Sequence, residues 1–152
     1  MPKNTEIERK FLVLSEDYKK LATTHIDICQ GYICKQPGRT VRVRVAGEKA
    51  YLTIKTPAGE GSFSRFEWEK EITLDDAKAL MSICMPGMIE KTRWIVPAAE
   101  KGLKWEVDEF HGRLAGLTLA EIELESESQV FTKAPFLGEE VTGDPRYYNA
   151  NM

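Results

Sequence analysis

Apolar and polar positions alternate with period two along most of this chain. Residues 5–13, Thr-Glu-Ile-Glu-Arg-Lys-Phe-Leu-Val, put Glu6, Glu8 and Lys10 on one face of an extended segment. Ile7, Arg9, Phe11 and Val13 take the other, because successive side chains of a strand point to opposite sides. The same alternation predicts strands over residues 26–35, 40–45, 50–55, 64–72, 89–96, 103–110 and 119–124. The cleanest is Thr40-Val41-Arg42-Val43-Arg44-Val45, with its valines on one side and its arginines on the other. Gln36-Pro37-Gly38 and Ala46-Gly47-Glu48-Lys49 read as turns, the second closing a hairpin, and residues 57–61 as a Gly/Pro-rich loop.

Helical spacing is rarer. Leu74, Ala77, Leu80, Met81 and Cys84 share one face of a helix predicted over residues 74–84, started by a Thr73/Asp76 capping pair and ended by Pro86-Gly87. Ser15 offers an N-cap for a short helix reaching about residue 21, which places His25 in a following loop with no assigned role. The polar tail, residues 126–152, is expected to hold one or two short helices packed through Phe131, Phe136, Val141, Tyr147 and Tyr148. The elements add up to a mainly β (α+β) fold of eight mostly antiparallel strands, enough to close a barrel or tunnel with a usable lumen. There is no repeat and no linker, so residues 1–152 are expected to form a single domain.

Composition narrows the function classes. A formal net charge of −3 gives no footprint of a nucleic-acid binder, although it is compatible with a locally basic pocket. No apolar run approaches a membrane span of about 20 residues, and no signal-peptide pattern precedes the first strand. Cys29, Cys34 and Cys84 are odd in number and lack metal-ligand spacing, which reads as reduced thiols in a cytoplasmic protein.

The charged faces change the picture more than composition does. For one strand alone, a charged face in solvent is the simpler arrangement. Across the set, the polar faces carry Glu-x-Glu-x-Lys, Arg-x-Arg, Lys-x-Arg and Glu-x-Glu, and like charges on one strand face repel. A multiply charged ligand with divalent cations would compensate that repulsion if the faces met inside a closed sheet. The apolar faces would then be covered from outside, by helices, by the aromatic tail or by a second copy of the chain.

The residue types suggest the chemistry. Lys10, Arg42, Arg44, Lys55, Lys91 and Arg93 form a basic set suited to a linear polyphosphate, since arginine binds phosphate bidentately and lysine acts as a point charge. Glu6, Glu8, Glu121 and Glu123 are hard oxygen donors suited to Mg²⁺ or Mn²⁺. Glu67, Glu69, Glu106 and Asp108 are candidates for additional metal positions or for holding the residues that bind the metal in place. Together the two sets point to metal-assisted phosphoryl transfer.

In this order, Glu6-x-Glu8-x-Lys10, Arg42-x-Arg44, Thr53-x-Lys55, the Glu67/Glu69 strand, Lys91-x-Arg93, Trp105-x-x-Asp108 and Glu121-x-Glu123 resemble the CYTH domain, or triphosphate tunnel metalloenzyme, superfamily. Gln30-Gly31-Tyr32, Glu139-Glu140-Val141-Thr142 and Arg146-Tyr147 resemble its small bacterial branch. The resemblance implies an eight-stranded antiparallel tunnel in which acids bind Mg²⁺ or Mn²⁺ and basic residues hold a small-molecule triphosphate. It implies hydrolysis of inorganic tripolyphosphate, with Lys10 and Tyr32 assisting the attacking water and a homodimer as the common assembly. Thiamine or nucleoside triphosphate hydrolysis and class IV adenylyl cyclase activity are the enzymatic alternatives. A polyphosphate-binding module is the non-enzymatic one. Arginines and metal ions would depress the Lys10 pKa while Glu6 and Glu8 would raise it, and the sequence leaves that balance open.

Overall fold

The computed structural model describes residues 5–36, 38–56 and 64–152, with the backbone alone at residues 5, 6, 64 and 65. The expected loop at residues 57–61 and Pro37 of the Gln36-Pro37-Gly38 turn lie outside the described residues.

Among the described residues the chain forms nine strands and two α-helices. They are β1 (Thr5–Val13), α1 (Tyr18–Leu21), β2 (Thr24–Cys34), β3 (Thr40–Ala46), β4 (Lys49–Lys55), β5 (Ser64–Ile72), α2 (Leu74–Met81), β6 (Ile89–Pro97), β7 (Lys104–Phe110), β8 (Thr118–Leu124) and β9 (Leu137–Glu140). The strands make one sheet in the order β5-β4-β3-β2-β6-β7-β8-β1-β9, and every pairing is antiparallel. The mainly β, antiparallel character is therefore as the alternation predicts. The strand count is nine where eight are expected.

The extra strand arises from the way β1 is paired. One edge of β1 pairs with β8 from Ile7↔Leu124 to Leu12↔Leu119. Its other edge is shared. Thr5↔Phe66, Glu6↔Arg65 and Ile7↔Ser64 join the start of β1 to β5, and Phe11↔Glu140 and Val13↔Leu137 join its end to β9. An unpaired strand edge leaves backbone donors and acceptors unsatisfied, and β9 covers the stretch that β5 does not reach. The tail expected to be helical thus supplies a strand first. Two short 3₁₀ turns, Pro145–Tyr147 and Asn149–Asn151, follow it.

Smaller differences have local causes. β2 begins at Thr24, so His25 lies in a strand, paired with Trp94 and tilted against its ring at 4.6 Å. Asp17, not Ser15, is the N-cap of α1. α2 starts as expected, with the Thr73 hydroxyl accepting from the Asp76 amide at 3.0 Å, but ends at Met81. The β3–β4 hairpin turns through Gly47 at φ +61°, the positive value a two-residue hairpin loop needs.

Apolar side chains pack mainly on the side of the sheet away from the charged faces. Ile7, Phe11, Tyr18, Val96, Trp105, Val107, Ala120, Ile122 and Phe136 form one core under α1 and the segment leading into β9. Trp105 is buried and meets the rings of Phe11 and Phe131 edge to face. Val43 and Ala50 pack under Ala77 of α2. Gly31 lets the segment after α2 pass close over β2, since a Cβ there would lie 2.4 Å from Met88 Sδ and 3.1 Å from Cys84 Sγ.

This packing makes the outer core the main source of stability. Trp105→Ala should lower unfolding free energy by roughly 3–5 kcal/mol, measured by urea titration. A loss below about 1 kcal/mol would mean that the site collapses around the truncation or that Trp105 is not in the core.

Candidate active site

Period-two alternation places the charged side chains of several strands around one cavity of about 750 Å³. Glu8 and Lys10 come from β1, Tyr32 from β2, Arg42 and Arg44 from β3, and Thr53 and Lys55 from β4. Glu67 and Glu69 come from β5, Lys91 and Arg93 from β6, Glu106 from β7, and Glu121 and Glu123 from β8. Strand register then decides which charges are neighbours.

The cations are concentrated on β3 and β6, and much of their charge is uncompensated. Lys91 is almost fully buried and lies 2.7 Å from Asp108. Arg93 donates to the same carboxylate through Nε and Nη2 at 2.8 and 2.9 Å, and approaches Glu106 at 3.3 Å. One carboxylate thus serves two cations. Arg44 Nε donates to Gln30 Oε1 at 2.8 Å, and Arg42 reaches Thr53 Oγ1 at 3.5 Å. Among the described residues neither arginine forms an ion pair, and the buried Arg42 Nε has no hydrogen-bond partner. An orphaned donor in a basic cavity marks a place for an anion's oxygen.

Burial and neighbouring charge set the electrostatics. Burial lowers the Arg44 pKa first, and nearby Arg42 and Arg93 add to it. Burial also pushes Lys91 well below the ordinary lysine value, against the attraction of Asp108. For Asp108, burial works upward, but Arg93 and Lys91 outweigh it and hold the carboxyl below the usual range. Because both its oxygens are engaged by cations and it does not line the cavity, Asp108 orients Lys91 and Arg93 rather than facing a ligand.

The acids meet across neighbouring strands. Glu8 stands opposite Glu123, and Glu106 opposite Glu121. Like charges directly opposite one another are destabilising unless something bridges them. Glu121 is pushed upward by burial, but Lys10 at 3.3 Å and a side-chain hydrogen bond with Glu8 bring it well below the usual carboxylate value. Glu69 accepts from Thr53 Oγ1 at 2.8 Å, and Glu67 lies 3.8 Å from Lys55. No three acidic, histidine or cysteine side chains among the described residues are gathered around one point. The donor chemistry still fits Mg²⁺ or Mn²⁺, which take one or two carboxylates and complete their shell with water and phosphate oxygens. The Glu6 side chain lies outside the described residues.

The expected substrate and catalytic residues Lys10, Tyr32, Arg42, Arg44, Lys55, Lys91 and Arg93 all line this cavity, as do Glu8, Glu69, Glu121 and Glu123. The tail, whose aromatics leave open from sequence whether it covers a cavity mouth, reaches it as well. Tyr148, Asn149, Ala150 and Asn151 line one end. Lys10 Nζ donates to the Tyr147 carbonyl at 2.8 Å, and Asn149 Oδ1 accepts from both Lys91 and Gln30. A Tyr-Asn-Ala-Asn run carries no periodic signal, so only the fold could place it there.

Fold and site together define an antiparallel β protein that brings many basic and acidic side chains to one cavity. The chain belongs to the CYTH domain family, which matches residues 4–148. An inorganic triphosphatase from Acetivibrio thermocellus is 46% identical over 149 residues, covering 97% of this chain and 92% of that protein. An inorganic triphosphatase from Nitrosomonas europaea is 36% identical over 148 residues, covering 95% and 94%. A crystal structure of an inorganic triphosphatase superposes with a TM-score of 0.63 at 33% identity, covering 96% of this chain and 92% of that one.

Asp108→Asn should destabilise the protein by roughly 3–5 kcal/mol, because it leaves Lys91 buried without an ion-pair partner and Arg93 with Glu106 alone. The Asp108 carboxyl is depressed in the folded state, so its contribution is full above the unfolded aspartate value near 4 and is lost as pH falls below it. Thermal melts should therefore show the wild type losing more stability on acidification than Asp108→Asn. Parallel curves would place the counter-charge elsewhere.

Proposed function

We propose that this chain is a metal-dependent triphosphatase acting on inorganic tripolyphosphate. The observation that carries the proposal is the pairing of two walls in one cavity. Among the described residues Arg42 and Arg44 face it without ion-pair partners, while Glu8 meets Glu123 and Glu106 meets Glu121 in register. Simple anion binding needs only the cations. The opposed acids would hold a divalent cation, which would offset their mutual repulsion. The triphosphatase names of the relatives support the same reading.

Arg42, Arg44, Lys55, Lys91 and Arg93 would hold the phosphate oxygens, the arginines orienting them through paired N–H donors. Glu8, Glu121 and Glu123, with Glu6 as the fourth acid expected from the sequence, would hold Mg²⁺ or Mn²⁺, which when bound would neutralise charge on the phosphoryl oxygens. Lys10 is fixed between Glu121 and the Tyr147 carbonyl, so its ammonium is aimed into the cavity as a donor to phosphate or to the attacking water. Tyr32 is buried at the cavity wall opposite Arg42 in the β2–β3 register and would orient that water. Positioning and charge stabilisation carry the catalysis of such a reaction. The cavity would be the lumen of a tunnel formed within a single domain; the β1–β5 pairing, which brings the first strand to the sheet's far edge, supports this.

Phosphate release from tripolyphosphate should require Mg²⁺ or Mn²⁺ and exceed release from ATP and thiamine triphosphate. Absence of release with every metal and substrate would reject the proposal. Arg42→Ala should reduce kcat/KM by about 100-fold or more, the scale of losing one charge-stabilising donor. The Glu121→Gln/Glu123→Gln double variant should lose metal-stimulated turnover while keeping its fold by circular dichroism. Normal metal stimulation in that variant would refute the metal assignment.

A further inference from the structure

We propose that Gln30 and Asn149 form a neutral amide relay that positions Arg44 and Lys91 for phosphate oxygens without adding negative charge beside either cation. The relay makes the C-terminal segment a working wall of the substrate site. The inference rests on the triphosphatase reading above.

The geometry runs through four side chains. Lys91 Nζ donates to Asn149 Oδ1 at 2.8 Å, Gln30 Nε2 donates to the same oxygen at 3.0 Å, and Arg44 Nε donates to Gln30 Oε1 at 2.8 Å. Lysine and arginine can only donate, so each cation dictates the orientation of the amide it meets. Lys91 draws the Asn149 oxygen toward itself, and Arg44 draws the Gln30 oxygen, leaving the Gln30 NH₂ to bridge the two amides. Gln30 and Lys91 are essentially inaccessible to solvent, at 0% and 1% exposure, so these bonds cannot be exchanged freely for water.

Neutrality is the informative feature. Asp108 already serves both Lys91 and Arg93. A carboxylate at either amide position would hold its cation equally well but would cancel charge that a polyanion needs. An amide supplies the acceptor without that cost. The relay also crosses from β2 to the Asn149–Asn151 turn, across 119 positions of sequence, and so ties the tail to the cationic wall.

The test compares Asn149→Ala, which removes the acceptor, with Asn149→Asp, which keeps its shape and adds a negative charge. KM for tripolyphosphate should rise about tenfold in Asn149→Ala and about a hundredfold in Asn149→Asp, with kcat within a few fold of wild type. Calorimetric affinity for tripolyphosphate without metal should fall in the same order. Gln30→Glu, altering the relay from the sheet side, should follow Asn149→Asp, and melting midpoints identify any variant that fails to fold. An Asn149→Asp protein that binds and turns over like wild type would overturn the relay. So would equal losses in Asn149→Ala and Asn149→Asp confined to kcat, which would indicate a structural role. A wild type that binds tripolyphosphate without hydrolysing it would overturn the proposed activity alone, since the calorimetric order still decides the relay.

Discussion

Like charge gathered into one cavity is the constraint on which this structure depends. Four cations from β3 and β6 converge in it, the buried carboxylate of Asp108 is shared between Lys91 and Arg93, and acid stands against acid where β8 pairs with β1 and β7. Bringing such groups out of water costs free energy that the site itself does not return. The fold must therefore be stabilised elsewhere. It is stabilised on the other side of the sheet, where Phe11, Trp105, Ile122 and Phe136 pack with Tyr18 of α1, and where α2 lies over Val43 and Ala50.

This division of labour follows from the pleat. A strand with period-two alternation has one face for each environment, so the same residues that build the apolar core aim the charges inward. Antiparallel register then sorts the charges. It sets Glu8 against Glu123 and Glu106 against Glu121 on β1, β7 and β8, while β3 and β6 bring Arg42, Arg44, Lys91 and Arg93 to the same cavity. On the proposed function, such a site would meet a polyanion and its cation with its charges already in place.

The tail joins both systems. β9 completes the edge of β1, Arg9 and Glu140 pair across that junction, and the following turns bring Tyr147 and Asn149 onto Lys10 and Lys91. Arg113 anchors the far end by donating to the carbonyls of Met152 and Gly87. The chain's last segment therefore contributes to the site through contacts with residues distant in sequence, 137 positions away for Lys10 and 58 for Lys91.

Much of this was legible in the sequence because its signals are local. Alternation in Thr40-Val41-Arg42-Val43-Arg44-Val45 fixes both strand and facing, and Thr73 with Asp76 marks the start of α2 through a hydrogen bond spanning three residues. The grouping of Lys10, Arg42, Lys91 and Glu121 was likewise readable, since each sits on the polar face of a clear strand. The tertiary structure decided what depends on pairing between distant segments. Leu137–Glu140 is too short to alternate and becomes a strand only because β1 has an edge to satisfy. The sequence makes Asp108 an acid, but only the β6–β7 register puts Arg93 opposite it and engages its oxygens. Asn149 has no pattern at all. Its place beside Lys91 exists only once the sheet has brought both ends of the chain together.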